Sequence, residues 1–322
     1  MATYKEIHGV KVQYRDSDAT AIEGDVWYNA STSKLKMYAA TGSWASGTNM
    51  NTKRGEGGGA GTATASLVIG GINPPATVTE VESYNGSTWT ELGDLNTARG
   101  ITASGGIQTA AMIAGGGDPT TGKAEQFDGS TWTEITAMTT AGKCSGGGTT
   151  TSLIAFAKGP PPSATNESWN GTSWTEVADM NTIRYYASGV GASNTDALCV
   201  GGQTTTPYPA AYVANVEQWN GTSWTALNPL NSGRSTLGTA GTTSGALAYG
   251  GGSPASALTE QFDGTSWTEV ADLATARYGV SINCSTQSAF EAFCTGGQPI
   301  PATGTATEEW TVPDATKTFT AS

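Results

Sequence analysis

Residues with acid–base or metal-binding chemistry are few in this chain, and none has the spacing that a site requires. His8 is the single histidine, so a His-rich zinc site or a Ser-His-Asp triad lacks its parts. The four cysteines lie in apolar, strand-like segments at no metal-ligand spacing: Cys144, Cys199, Cys284 and Cys294. We expect them to be free buried thiols.

Carboxylates are the remaining catalytic candidates, because two of them flanking a glycosidic bond can hydrolyse it. Most acidic residues, however, recur at equivalent positions of a repeat, whereas an active site should depart from that repeat. Asp118, Asp196 and Glu291 do depart from it, but they are too scattered in the sequence to form a pair. We therefore expect no enzyme, no catalytic or metal-binding residue and no cofactor.

Five tyrosines offer a different chemistry, which is recognition. Tyrosine rings stack on sugars, and neighbouring Arg or Asn side chains can bind the hydroxyl groups. The candidates for this recognition face are Tyr185, Tyr186, Tyr208, Tyr212 and Tyr278. For any one of them, we favour the alternative that the ring caps an interface between repeats, because partly exposed tyrosines with a polar tip are common.

A repeat along the chain determines where these residues stand. Five tryptophans each follow another aromatic residue by five positions, with Asn-Gly or Asp-Gly between them: Trp89, Trp132, Trp174, Trp224 and Trp267. This turn sequence between aromatic residues predicts a β-hairpin. Six residues after each Trp comes Leu or Met, and four residues later usually an Arg, which we interpret as a structural ligand for loop carbonyls.

Upstream of each hairpin, an apolar segment ends in a glycine doublet. The doublets are Gly70 and Gly71, Gly115 and Gly116, Gly201 and Gly202, Gly250 and Gly251, and Gly296 and Gly297. The third copy reduces to IAFAKG, which ends at Gly159. One unit of four strands thus recurs every 42–50 residues. This period and strand number predict the blades of an all-β propeller with almost no helix.

The doublet, the downstream aromatic residue and the Trp before an apolar position resemble the kelch repeat. The resemblance covers residues 44–310 and implies a propeller of radially packed, four-stranded sheets. The chain departs from the kelch pattern in two places. The third copy lacks a glycine, and the second lacks the regular arginine, with Lys143 one position late.

We predict six blades, the last of them closed by an N-terminal strand. Trp310 ends the third strand of the sixth copy, but no Trp follows it at the usual spacing. Trp44 instead precedes Met50 by six residues, and Met50 precedes Arg54 by four, which matches the other copies. A strand at 43–50 would complete the blade and leave no long open sheet edge.

Two domains follow from this arrangement, an N-terminal hairpin arm at 1–42 and the propeller at 43–322. One alternative stays open. Residues 316–320 could close blade six themselves, which would leave residues 24–50 to form a partial seventh blade.

The loops between the second and third strands vary most, with 10 to 17 residues from the doublet position to the aromatic residue. In a propeller these loops emerge on one face, beside the arginine-bearing segments between blades. Scaffolds of rigid strands carry binding functions on such variable loops. The sequence therefore predicts one recognition face.

The composition disfavours several classes of partner. Fifteen Lys and Arg stand against 27 Asp and Glu, a net charge of −12, which disfavours nucleic acid. The sequence shows neither an apolar stretch of membrane-spanning length nor the zones of a secretory signal, so we expect no membrane insertion.

The repeats, the Gly/Thr/Ser richness and the non-repeat N-terminal arm are similar to kelch-like virion proteins of tailed phages of marine bacteria. The phrases GDVWYN (24–29), NGTSWTE and EEWTVPDATKTFTAS carry this resemblance. It implies capsid decoration, a tail or a fibre component, with other virion proteins and a host-surface glycan as partners and the virion as location. A homo-oligomer stays open. The alternative is a cellular or secreted kelch module that binds polysaccharide or protein.

Overall fold

The structure is a computed structural model that describes residues 13–15, 26–31, 33–38, 42–205, 211–252, 254–281, 283–284, 291–299, 303–312 and 316–318. The chain divides into two compact units, one of Trp44–Thr311 and one of Met1–Ser43 together with Val312–Ser322. No helix of membrane-spanning length and hydrophobicity occurs among the described residues.

The larger unit is a six-bladed β-propeller, as the sequence predicts. Its strands run in order from the inner to the outer edge of each blade. Before the blades come β1 (Gln13–Arg15), β2 (Val26–Asn29), β3 (Lys34–Tyr38) and β4 (Ser43–Ser46). Blade one contains β5 (Gly58–Thr62), β6 (Ala65–Asn73), β7 (Ala76–Tyr84) and β8 (Trp89–Glu91). Blade two contains β9 (Ala103–Ile107), β10 (Ala110–Ala114), β11 (Ala124–Phe127) and β12 (Trp132–Ile135).

The later blades repeat this order. Blade three contains β13 (Lys143–Thr149), β14 (Ser152–Gly159), β15 (Asn166–Trp169) and β16 (Trp174–Val177). Blade four contains β17 (Ser188–Ser193), β18 (Asp196–Val200), β19 (Val216–Trp219) and β20 (Trp224–Leu227). Blade five contains β21 (Gly238–Thr242), β22 (Gly245–Tyr249), β23 (Thr259–Phe262) and β24 (Trp267–Glu269). The chain then forms β25 (Asn283–Cys284), β26 (Glu291–Thr295), β27 (Thr307–Thr311) and β28 (Thr316–Thr318).

Blade six is closed by β4, which confirms the predicted closure by an N-terminal strand. β4 lies beside β27, and beyond it Gly47 N and Met50 N donate to the carbonyls of Thr307 and Thr305, both at 2.9 Å. The rings of Trp44 and Trp310 pack with centroids 5.5 Å apart. The equivalent pairs in the other blades have centroids 4.9–5.4 Å apart: Tyr84–Trp89, Phe127–Trp132, Trp169–Trp174, Trp219–Trp224 and Phe262–Trp267.

The innermost segment of blade six departs from the regular pattern. Ser281 pairs with Thr295 of β26, but β25 then pairs in parallel with β21 of blade five, with Asn283 opposite Thr239. Blade six therefore shares its inner edge with its neighbour.

The smaller unit contains a four-stranded sheet in the order β1-β2-β3-β28. β2 and β3 form the predicted antiparallel hairpin, and β28 pairs antiparallel with β3 through Thr316 and Tyr38. Since 316–318 pair in this sheet, the alternative in which this segment closes blade six is wrong.

The core of the ring lies between adjacent blades. Leu67 and Ile69 of blade one, for example, pack in one cluster with Ile113 and Trp132 of blade two. All four are at most 7% exposed, and burial of each such side chain contributes about 1.5–3 kcal/mol. The blades thus stabilise one another through their faces.

The turn between the third and fourth strands forms for a local reason. In blade one, Oδ1 of Asn85 accepts hydrogen bonds from the N–H groups of Ser87 and Thr88, and Gly86 has a φ of 88°. Asn followed by Gly suits this turn, because the Asn side chain caps the backbone and glycine adopts positive φ without strain.

Candidate functional site

The loop face is the face that carries the second-to-third-strand loops and the links. The links are the segments between blades, at residues 47–57, 92–102, 136–142, 178–187, 228–237 and 270–280. Loops and links pair with each other, as Ser163 does with Arg184 and Ser256 with Arg277. The predicted co-location of variable loops and arginine-bearing links is therefore confirmed.

Buried ion pairs hold the links against the blades. In each blade, a glutamate lies two residues before the aromatic residue that ends the third strand, and it forms an ion pair with a basic side chain. Both side chains of every pair are at most 3% exposed. The pairs are Arg54–Glu82, Arg99–Glu125, Lys158–Glu167, Arg184–Glu217, Arg234–Glu260 and Arg277–Glu308.

The arginines also bind carbonyls, as the sequence predicts. Nη1 of Arg234 donates to the carbonyls of Gly250 at 3.0 Å and Leu258 at 2.6 Å. The carboxylates also accept hydrogen bonds from backbone N–H groups of the links. In blade one, the N–H groups of Asn51 and Thr52 donate to Glu82 at 2.7 and 3.0 Å. Sequence reasoning missed these glutamates, although their constant distance from the aromatic residue was a readable signal.

Blade three differs from the other blades in its buried cation and in the residues at the glycine-doublet positions. Its register places Ala157 four residues beyond the partner of Trp169, just as Gly70 lies four beyond the partner of Tyr84. Ala157, with a φ of 53°, and Lys158 thus occupy the doublet positions, which corrects the sequence alignment on Gly159. Lys158 pairs with Glu167 and supplies the cation that the preceding link lacks.

The central channel opens on the loop face in a cavity of about 50 Å³, which we call the channel mouth. Two consecutive residues from each blade line it. They are Glu56–Gly57, Ile101–Thr102, Cys144–Ser145, Tyr186–Ala187, Thr236–Leu237 and Gly279–Val280.

Backbone hydrogen bonds connect the blades around the channel mouth. Ile101 N donates to Glu56 O and Glu56 N to Gly279 O, both at 2.7 Å, and Thr236 N donates to Tyr186 O at 2.8 Å. Glu56, Ile101, Tyr186 and Thr236 have φ values of 50–58°. This left-handed conformation is strained for β-branched Ile and Thr, so the packed ring must hold it in place.

Polar and apolar side chains both line the channel mouth. Glu56 is half-buried, and burial raises the pKa of its carboxyl group while Lys143 opposes this rise. Burial also raises the pKa of Tyr186 to about 12, with a contribution from the charge of Glu56. Leu237 and Val280 supply apolar surface to the same cavity.

A second concavity of about 170 Å³ lies on the loop face between blades four and five, and we call it the side cleft. Its lining includes Tyr212, Ser232, Pro254 and Leu258. The lining thus combines an aromatic residue, hydroxyl groups and short apolar surface.

The predicted recognition tyrosines occupy different environments. Tyr185 is buried, and its hydroxyl accepts from Nε2 of Gln203 at 2.5 Å. Its ring lies 4.2 Å from that of Tyr186, which lines the channel mouth. Tyr212 lines the side cleft, and Tyr278 is half-buried on another link. Tyr208 lies outside the described residues.

The repeated tryptophans and glycines have structural roles. Trp89, Trp132, Trp174, Trp224 and Trp267 are buried, while Trp44 is half-buried. All ten doublet glycines have positive φ, from 58° to 120°. A Cβ on Gly70 would lie 2.4 Å from the carbonyl oxygen of Arg99, so the doublet lets the link approach the blade.

The residues with catalytic chemistry stay apart. Cys144, Cys199 and Cys294 are buried free thiols, and burial raises the pKa of each. Asp118 follows β10 on the loop face, whereas Asp196 and Glu291 begin strands at the opposite face. In the described part of the chain, no three His, Cys, Asp or Glu residues come together as metal ligands.

No protein-family model matches this chain, and no curated protein shows significant similarity to it.

Proposed function

We propose that this chain is a non-enzymatic, kelch-type virion protein of a tailed phage, in capsid decoration, a tail or a fibre, that recognises a host-surface glycan through its loop face. One observation carries the proposal. Loops of unequal length and the links share one face of a ring whose links are tied down by buried ion pairs. In such a ring the strands form a rigid scaffold, and the loops supply the side chains that contact a partner.

The side cleft favours a glycan as the recognised partner. Its size suits a single sugar ring, Tyr212 offers a stacking surface, and the hydroxyl of Ser232 lies in the same lining. The net charge of −12 favours a neutral or cationic sugar over a polyanionic one. Neighbouring virion proteins are the second expected class of partner.

Binding of the recombinant chain to polysaccharides from candidate hosts tests the recognition part. We expect Tyr212→Ala to weaken binding at least about tenfold, because aromatic stacking contributes on the order of 1 kcal/mol or more. Tyr278→Ala is the matched control, a half-buried tyrosine on the same face but outside the cleft. Equal loss in both variants, with both folded by circular dichroism, would contradict the cleft as the site.

Mass spectrometry and immunogold labelling of purified particles test the virion part. We expect the protein to remain with particles through a density gradient. Its recovery with cells or medium instead, with glycan binding intact, would support the alternative of a cellular or secreted kelch module.

A further inference from the structure

Blade six lacks the turn that joins the two outer strands of every other blade. In blade one, residues 85–88 connect β7 to β8, and blades two to five have a connection of the same length at the same place. In blade six the third strand is β27, the last strand of the ring, and the fourth is β4, the first. The chain between β4 and β27 makes up the rest of the ring, so no turn can connect them.

The hydrogen bonds of a hairpin form in blade six nevertheless. Gly47 N donates to Thr307 O at 2.9 Å. Its counterpart in blade one, Leu92 N, donates to Val81 O, also at 2.9 Å. In a hairpin the length of the turn fixes this register, and a slip of one residue would turn Trp44 to the opposite face of the sheet. Another part of the chain must therefore fix the register of β4 beside β27.

The register of β4 matters because Trp44 contacts two blades. Its ring packs against Trp310 of blade six and, with centroids 4.9 Å apart, against Tyr249 of blade five. Its Nε1 donates to Oγ1 of Thr259, also in blade five, at 3.0 Å. The other three residues of β4 are exposed, so the strand has little buried surface of its own. Loss of β4 would remove these contacts between blades five and six.

The terminal sheet, which consists of β1, β2, β3 and β28, joins the same two chain segments a second time. β3 precedes β4, β28 follows β27, and the two pair antiparallel with Tyr38 opposite Thr316. Tyr38 lies six residues before Trp44. Thr316 lies six residues after Trp310, so both segments have equal spacing. The two segments are thus paired in one register, once in each compact unit.

A second pairing at this point of the chain does what a turn does. Only residues 39–42 and 312–315 lie between the two pairings, four residues on each segment. A short connection keeps a separated strand within reach of its partner, at an effective concentration on the order of millimolar. While β3 and β28 stay paired, β4 can therefore leave β27 only briefly and returns in the same register.

We propose that the terminal sheet takes the place of the missing hairpin turn and holds the closing strand of the ring in register. Its role is conformational, because it retains β4 and Trp44 and so keeps blades five and six joined. The proposal concerns the closure of the ring and is independent of glycan recognition and of the virion.

Hydrogen exchange of the full chain, followed by NMR, tests the proposal. Lys317→Pro with Thr318→Pro removes at least one N–H donor from the pairing with β3, because successive N–H groups of a strand point to opposite sides. We expect the Gly47 amide to exchange at least about tenfold faster than in the parent chain, with the Leu92 amide unchanged. Lys317→Ala with Thr318→Ala keeps both N–H groups, so this matched control should exchange near the parent rate.

A cross-link added to the proline variant tests the same contact in the opposite direction. Tyr38→Cys with Thr316→Cys places two thiols directly opposite each other, and their disulfide replaces the lost pairing. Oxidation should slow Gly47 exchange at least about tenfold relative to the reduced form, or restore folding if the reduced form is unfolded. Exchange at the parent rate in the proline variant, or no change on oxidation, would overturn the proposal.

Discussion

The junction between blades two and three differs from the other five in the origin of its buried cation. Five links carry an arginine that reaches the glutamate of the next blade, but this link has Gly142 at that position. Lys158, which stands where the other blades have the second doublet glycine, binds Glu167 from within blade three. Each of these six glutamates thus has a cation, which comes from the preceding link at five junctions and from the same blade at the sixth.

The two solutions differ in how many groups the cation satisfies. Arg184 donates to the carbonyls of Asn215 and Cys199 as well as pairing with Glu217. Among the described residues, Lys158 donates to one acceptor, the carboxylate of Glu167. An arginine junction should therefore be the more sensitive of the two to loss of its cation.

The largest expected effect comes from breaking an arginine junction. Arg184→Met leaves the buried Glu217 carboxylate without its cation and removes one donor from the carbonyls of Asn215 and Cys199, and we expect a loss of about 3–5 kcal/mol in the free energy of unfolding. Guanidinium denaturation measures it. Lys123→Met, which removes an exposed ion pair with Glu134, is the control and should change stability by about 1 kcal/mol or less.

A smaller effect is expected at the lysine junction. Lys158→Gly should destabilise by about 3 kcal/mol, the lower end of the range for a broken buried pair, because Lys158 binds the Glu167 carboxylate alone, whereas Arg184 also binds two backbone carbonyls. Adding Gly142→Arg rebuilds the arrangement of the other junctions and should restore most of the loss. The backbone at this position admits a side chain, since a Cβ on Gly142 would meet ordinary contacts of 3.4 Å or more. If the double variant is no more stable than Lys158→Gly, the two arrangements are not equivalent.

The smallest effect concerns the pH dependence of two glutamates. Burial raises the pKa of Glu167, but hydrogen bonds from Lys158 and Thr139 outweigh it, and the pKa is lowered from its ordinary 4.5. Its contribution to stability is therefore present above pH 4.5 and lost as the pH falls through the folded-state pKa. The pKa of Glu56 is raised from 4.5, so its contribution is present below that pH and lost as the pH rises.

Melting temperatures across pH check this contrast. Glu56→Gln should stabilise the chain at neutral pH and have little effect below pH 4.5. Glu167→Gln should destabilise the chain, and the loss of stability should be largest at neutral pH. The same pH profile for both variants would show that the two carboxylates share one environment, contrary to the structure.

Much of the framework could be predicted because local rules produce it. Asn-Gly between Tyr84 and Trp89 specifies a hairpin through backbone geometry, and the spacing of Trp44 to Arg54 identifies a strand that belongs to the last blade. The candidate site was predictable only in part. The loop face followed from strand order, but Glu56, Thr102 and Ser145 lie 46 and 43 residues apart in the chain and share a cavity only because the blades meet at the axis.

The sequence by itself determined the repeat, the number of blades, the closing strand and the face that carries the variable loops, because each depends on turn chemistry and spacing within one unit. The tertiary structure alone decided which cation meets Glu167, that β25 pairs with blade five, and that four residues with left-handed backbone meet at the channel mouth. These features arise from the close approach of segments one or more blades apart, where packing and burial set the contacts and no local pattern records them.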